Sequence, residues 1–255
     1  MTERKTFVVT GGNSGLGEAT TRAIVGKGGK VIIFALNEER GKAIMKELAD
    51  SVFWPGPTDV TAEGAVKSSI EKGVERFGKI SGVVNCAGTC IAQKIVSKNC
   101  QPQQLNMFET IVKINLLGTF NVCRLIAAHI MANNKDAPEK EEDPGVIINV
   151  VSIAYTEGQA GQTAYSASKG GIAGMTLPMA RDLAGHVRVC TIAPGIFQTP
   201  MSNAAKDSYL EKHMIHPCRM GKPNEFAHLA CAIIENPMMN GEIIRIDGAV
   251  RLGKL

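Results

Sequence analysis

The chain has 255 residues, of which 44 % are apolar and 20 % charged, and a formal net charge of +4. That is enough chain for a large core, and no stretch approaches the ~18 uninterrupted apolar residues of a membrane span, so a soluble globular protein is expected. Aromatic residues make up 5 % and Lys/Arg form no long cluster, which argues against a nucleic-acid or membrane partner.

The seven cysteines, Cys86, Cys90, Cys100, Cys123, Cys190, Cys218 and Cys231, are odd in number and scattered, with no C-x-x-C pair. Neither a disulfide framework nor a metal site is expected, and a reducing compartment is, mitochondrial or cytoplasmic. The opening "MTERKTFVVTGG" shows no apolar signal core and no Arg/Ser-rich amphipathic extension, so no cleavable targeting peptide is expected.

Short apolar runs then alternate with longer helical patterns. Strands are expected at 6–10, 30–36, 51–53, 80–85, 145–151, 188–192 and 242–246. Helices are expected at 15–27, 38–49, 62–77, 104–132, 164–184 and 223–235. Apolar runs this short and continuous read as strands covered on both faces. Strict β–α alternation implies right-handed crossovers. The expected fold is therefore α/β: a single-domain, Rossmann-like, doubly wound parallel sheet of about seven strands with helices on both faces. No repeat or linker divides 1–255. Residues 89–104 read as an insertion after the fourth strand, and 133–145 as a charged, solvated connection.

The first strand runs into "VVTGGNSGLGEAT". Gly11, Gly15 and Gly17 allow a tight turn and close approach of a pyrophosphate to the backbone, while the helix N-terminus stabilises the anion. The second strand ends "VIIFALNEER". An acid there would take a ribose 2′-hydroxyl and a base would accommodate a 2′-phosphate. Ala35 and Leu36 offer neither, although Asn37 or Arg40 could reach the ribose, so NAD and NADP both stay open. "PTDV" and "NCAG" close the third and fourth strands, at the sheet edge where ligands bind. Asp59 could meet an adenine amino group, and Asn85 and Gly88 shape the adjoining loop.

Asn115 lies in the apolar run "VKINLLGTF"; its amide must be paired, by tying backbone or by holding a water. Ser152 ends the fifth strand. Tyr165 and Lys169 are four apart, hence on one helix face, where snorkelling alone could also place them. "IAPGIFQTP" breaks after the sixth strand at Pro194 and Gly195 and leads into 196–216, placed to cover a substrate. Cys86, Cys90, His213 and His216 read as lining or surface residues.

Taken in order, TGxxxGxG, "NCAG", Asn115, Ser152 and Tyr165-x-x-x-Lys169 resemble the short-chain dehydrogenase/reductase family over the whole chain. "NLLGTFNVCRLIA", "AYSASKGGIAGMTLPMARDLA" and "RMGKPNEFAHLACAIIENPMMNGEIIRIDGA" are similar to its type II 3-hydroxyacyl-CoA dehydrogenase subgroup, also called type-10 17β-hydroxysteroid dehydrogenases. The resemblance implies that Tyr165 exchanges a proton with the substrate oxygen. It also implies that Ser152 stabilises charge on that oxygen, that Asn115 holds a water, and that Lys169 assists Tyr165 and binds the nicotinamide ribose. A cation about 4 Å from a phenol of ordinary pKa ~10, at an effective dielectric of ~20, is worth ~4 kcal/mol, or up to roughly three pKa units.

By the same resemblance the cofactor lies along Gly11, Asn13, Ser14, Gly15, Leu16, Gly17, Leu36, Asp59, Val60, Asn85, Ala87 and Gly88, and its nicotinamide against Tyr165, Lys169, Pro194, Gly195, Ile196 and Thr199. Similarity favours NAD, although Ala35 stands where the subgroup has an acid. The implied reaction interconverts a 3-hydroxyacyl-CoA, or a steroid-like secondary alcohol, with its ketone, in a homodimer or homotetramer built on the long helices. Two other readings are an NADPH-dependent 3-oxoacyl thioester or broad carbonyl reductase, and a non-catalytic nucleotide-binding scaffold.

Overall fold

Residues Thr6–Thr10 form β1, and all five are buried. The pleat sends Phe7 and Val9 into one core cluster and Val8 into another, on the opposite face. A strand covered on both faces needs helices on both sides, and the computed structural model, which describes residues 5–134, 145–202 and 215–251, supplies them. On the Phe7 face lie α1 (Gly15–Gly26), α2 (Glu38–Leu48) and a C-terminal helix, Pro223–Glu235, which contribute Ile24, Ile44 and Phe226. On the Val8 face lie α3 (Glu63–Phe77) and the helix Gly118–Asn133, which contribute Val66, Ile70, Val122 and Ile126.

The strands β2 (Lys30–Phe34), β3 (Val52–Phe53), β4 (Ile80–Asn85), β5 (Val146–Val150), β6 (Arg188–Pro194) and β7 (Ile243–Ile246) join β1 in one sheet. Its order is β3-β2-β1-β4-β5-β6-β7, and every pairing is parallel. The chain reverses its direction of progress between β1 and β4, which makes the carboxyl ends of those two strands the switch point where open α/β sheets bind ligands.

Several boundaries depart from the sequence reading. β2 stops at Phe34: Ala35 makes only an isolated bridge to Pro57, and Leu36 is 64 % exposed. The expected helix at 104–132 is α4 (Leu105–Val112), a π-helical turn (Lys113–Leu117) and α5 (Gly118–Asn133). By length and composition Leu105–Asn133 could cross a membrane, but half of its most apolar window is buried inside the fold. A short α6 (Ala154–Glu157), absent from the sequence reading, precedes α7 (Thr163–Asp182), and Pro223–Glu235 is α8. The 89–104 segment is a loop held at Gln93, whose N–H donates to the Gly161 carbonyl at 2.9 Å. Residues 135–144 of the charged connection, residues 203–214 of the 196–216 segment, and with them His213, lie outside the described residues.

Candidate active site

The turn after β1 is built by its glycines. Gly11 has φ +64, and a Cβ on Gly17 would lie 2.3 Å from the Gly11 carbonyl oxygen, so helix and turn approach closely only without side chains. The turn is pinned to its neighbours: Gly11 N–H donates to Phe34 O at 2.8 Å, and Thr21 Oγ1 donates to Gly12 O at 3.0 Å. Thr10 Oγ1 accepts from Ala87 N–H at 2.9 Å, fixing the end of β4 beside it. Between these strand ends opens a cavity of about 660 Å³, lined by Gly11, Asn13, Ser14, Gly15, Leu16 and Gly17 on one side. Leu36, Asp59, Val60, Ala87, Gly88 and Thr199 close it on the other. A bare backbone turn at a helix N-terminus fits a pyrophosphate, and the cavity suits a dinucleotide rather than a small anion.

A second cavity of about 500 Å³ adjoins the first, sharing Leu16, Gly88 and Thr199 with it. Ser152, Tyr165, Lys169, Pro194, Gly195 and Ile196 line it. Of the residues implied as catalytic or cofactor-binding, Asn85 and Asn115 line neither cavity, and Asn37 and Arg40, which could reach a ribose, line neither as well. Asn85 instead donates through Nδ2 to Asn149 Oδ1 at 2.9 Å and to Cys123 Sγ at 3.2 Å, inside the core. The expectation that it borders the cofactor is thereby corrected to a cross-strand role.

Asn115 sits in the π turn, fully buried. Its Oδ1 accepts from Thr89 N–H at 2.8 Å, and its Nδ2 donates to Thr89 O at 2.9 Å and to Ser168 Oγ at 3.0 Å. Both amide hydrogens are thus used, and the side chain ties backbone. It clamps the start of the 89–104 loop to α4–α5 and α7.

Lys169 Nζ donates to Val150 O at 2.8 Å and lies 5.7 Å from the centroid of the Tyr165 ring. Burial holds the ammonium down at about 8, against smaller opposing effects of Cys86 and Cys90. The Tyr165 phenol is pushed up to about 12, first by burial and then by Cys90, while a hydrogen bond with the Ser152 side chain pulls it down. The sequence argument placed a cation close enough to depress the phenol. In the structure burial instead raises the phenol, and the Lys169 ammonium is turned to the Val150 carbonyl. Burial also pushes the Cys86 thiol up to about 12 and raises Cys90, so neither is a thiolate at neutral pH.

Cys86 and Cys90 line the second cavity, consistent with the lining role expected of them. Phe197, Met201 and Glu157 also line it and were not singled out from sequence. Glu157 accepts from Arg245 Nη1 at 2.7 Å through Oε1, and its buried Oε2 has no partner. No spacing rule points to it, since its partner lies 88 residues away.

The short chain dehydrogenase family model matches residues 5–210. The 3-hydroxyacyl-CoA dehydrogenase type-2 of Drosophila melanogaster is 45 % identical over 257 residues, covering 99 % of each chain. The 3-oxoacyl-[acyl-carrier-protein] reductase FabG of Thermotoga maritima is 33 % identical over 258 residues, 97 % of this chain and 98 % of the other. The crystal structure of 3-hydroxyacyl-CoA dehydrogenase type-2 from Mycobacterium avium superposes with a TM-score of 0.92 at 37 % identity, covering 100 % of this chain and 99 % of that one. With a glycine-built cleft opening onto Ser152, Tyr165 and Lys169, the chain belongs to the short-chain dehydrogenase family and is an oxidoreductase that uses a nicotinamide dinucleotide.

Proposed function

We propose that this protein interconverts a 3-hydroxyacyl-CoA and the corresponding 3-oxoacyl-CoA. The observation that carries the reading is the continuity of the two cavities: a cofactor laid along the Gly11–Gly17 turn ends where Ser152, Tyr165 and Lys169 converge. The acyl-CoA substrate class rests on the similarity to the type-2 dehydrogenases. Similarity favours NAD in the same way, whereas Ala35 and the likeness to FabG favour the reductive, thioester-reducing direction.

The chain's own groups divide the work as follows. Ser152 donates a hydrogen bond to the substrate oxygen and stabilises the charge that develops there. Tyr165 gives a proton to that oxygen in reduction and takes it back in oxidation. Lys169 keeps a positive charge beside the phenol and, once a ribose is at hand, turns donors toward its hydroxyls. Asn115 holds the Thr89 backbone and hence the loop that walls the second cavity. The dinucleotide, when bound, supplies or accepts the hydride.

The test is acetoacetyl-CoA with the reduced dinucleotides, comparing the native enzyme with Tyr165→Phe. Loss of the proton donor is expected to cut kcat by at least about a hundredfold, with dinucleotide binding retained; unchanged turnover overturns the assignment. We further propose that the protein is a homodimer or homotetramer joined through α4–α5 and α7, whose exposed faces carry Leu117, Phe120 and Leu177. Its seven unpaired cysteines suit a reducing compartment, mitochondrial or cytoplasmic.

A further inference from the structure

The segment that carries Ser152 has little local structure to hold it. β5 ends at Val150, and Ser152 is followed by α6, which has only the four residues Ala154–Glu157. A single helical turn is not stable by itself, because fixing its dihedrals costs more than its few hydrogen bonds return. Yet the serine hydroxyl depends on that turn. Ser152 Oγ accepts from Ala154 N–H at 3.2 Å, which occupies a lone pair and leaves its own O–H free to donate within the second cavity. Ser152 O accepts in the same way from Tyr155 N–H at 2.9 Å. Whatever fixes α6 therefore aims the hydroxyl.

The anchors come from the C-terminal end of the sheet. Arg245 in β7 donates through Nη1 at 2.7 Å to Oε1 of Glu157, the last residue of α6. The guanidinium is fixed in turn, since its Nε donates to Asp247 Oδ2 at 2.8 Å, and Arg251 Nη1 donates to the same oxygen at 3.2 Å. Asp247 closes the turn after β7: Val250 N–H donates to its carbonyl at 3.1 Å, and Val250, fully buried, packs in one cluster with Ile153. The Ser152 segment is thus gripped by an ion pair at one end and an apolar contact at the other. Stability alone does not account for the ion pair. Arg245 and Glu157 are only 23 % and 24 % exposed, and Glu157 Oε2 is buried with no donor among the described residues. An unmet buried acceptor costs free energy, and an apolar pair of similar volume would avoid that cost.

We propose that Arg245 and Glu157 are positioning residues, which aim the Ser152 hydroxyl at the substrate oxygen by clamping α6 to β7. The proposal rests on reading Ser152 as the group that stabilises charge on that oxygen. Such a donor works only if it is already in place when the charge develops, and a displacement of about 1 Å can cost about a hundredfold in rate. The clamp leaves dinucleotide binding alone, because the first cavity is built on the Gly11–Gly17 turn and takes no residue from α6 or β7.

The test uses the full-length enzyme and acetoacetyl-CoA, comparing Glu157→Ala, Arg245→Ala, the double variant, Glu157→Gln and Ser152→Ala with the native protein. Calorimetric titration with NADH and NADPH counts the dinucleotide sites, and kcat is referred to those sites, so that a loss of folded protein is not read as a loss of turnover. Each single alanine variant of the pair is expected to lower kcat per site by about tenfold, with dinucleotide affinity held within about twofold. The double variant is expected to lose no more than the worse single variant, because the two side chains act as a unit. Glu157→Gln, whose amide oxygen still accepts from Arg245, is expected to keep kcat within about threefold of native. Native kcat per site in the alanine variants, losses that multiply in the double variant, or a rise in KM alone overturns the clamp. If Ser152→Ala still loses turnover in that case, the reading of Ser152 stands without the clamp. Native turnover in Ser152→Ala overturns both.

Discussion

At the scale of single residues the site is a contest between burial and charge. Lys169 is 6 % exposed and its ammonium rests on one carbonyl oxygen, so its folded pKa falls to about 8 from 10.5. Between those two values the unfolded chain holds a proton that the native state has released. The unfolded state then binds more protons, and native stability rises with pH across that window. Below pH 8 both states are protonated and the full desolvation cost remains. Lys169→Met lacks this cost at every pH. The gap in unfolding free energy between Lys169→Met and the native protein, measured by urea titration, should therefore close by about 3 kcal/mol between about pH 7 and about pH 10.5. A gap that does not change with pH would show that the ammonium is solvated.

Residues such as Tyr165 and Lys169, or the glycines at 11 and 17, were legible in the sequence because their geometry is local: a spacing along one helix or one turn fixes it. Asn85 was not, since its amide is aimed by Asn149, 64 residues away. For Asn115 the sequence demanded a partner without choosing it. The choice of Thr89 came from the loop folding back over the π turn.

The same division holds for whole elements. Strand and helix order was readable because the apolar runs have periods that differ. The break in the long helix was not, because the chain stays helical through the π turn and no Pro in 105–133 marks an interruption. β2 ends early for a different reason: its outer neighbour β3 has only two residues, Val52–Phe53, so Ala35 and Leu36 find little ladder to join. What holds the loop there is α2, which packs over Trp54 at Gly41. A Cβ on Gly41 would lie 2.6 Å from the indole, although Trp54 itself is held from behind by the Ala35 carbonyl. Gly41→Ala is accordingly expected to cost about 1–3 kcal/mol in chemical denaturation. The Trp54 emission should also shift to the red as the ring is displaced toward water. An unchanged spectrum with unchanged stability would mean that α2 slides freely on the sheet.

At the scale of the molecule, two of the longest helices are only half used. Gly171 on α7 admits Leu116, whose side chain would lie 2.8 Å from an added Cβ, so α7 and the π turn pack closely. Beyond that contact, Leu117, Phe120 and Leu177 are respectively 55 %, 45 % and 46 % exposed, and a Cβ on Gly174 would meet nothing within 4 Å. Apolar side chains beside a bare backbone stripe are the surface a second copy can cover by two-fold symmetry, each helix pair meeting its own equivalent. A stable interface of this kind buries about 800 Å² per partner, which two helices of this length can supply. Sedimentation of the native protein is therefore expected to give a dimer or tetramer, and Phe120→Glu combined with Leu177→Glu a monomer with the same far-ultraviolet circular dichroism. Neither side chain lines either of the two cavities of the site, but α7 carries Tyr165 and Lys169 on its inner side. Loss of the partner should thus reach turnover through the looseness of that helix, lowering kcat while dinucleotide affinity changes little. A native monomer, or a double variant that stays assembled, would place the subunit contact elsewhere.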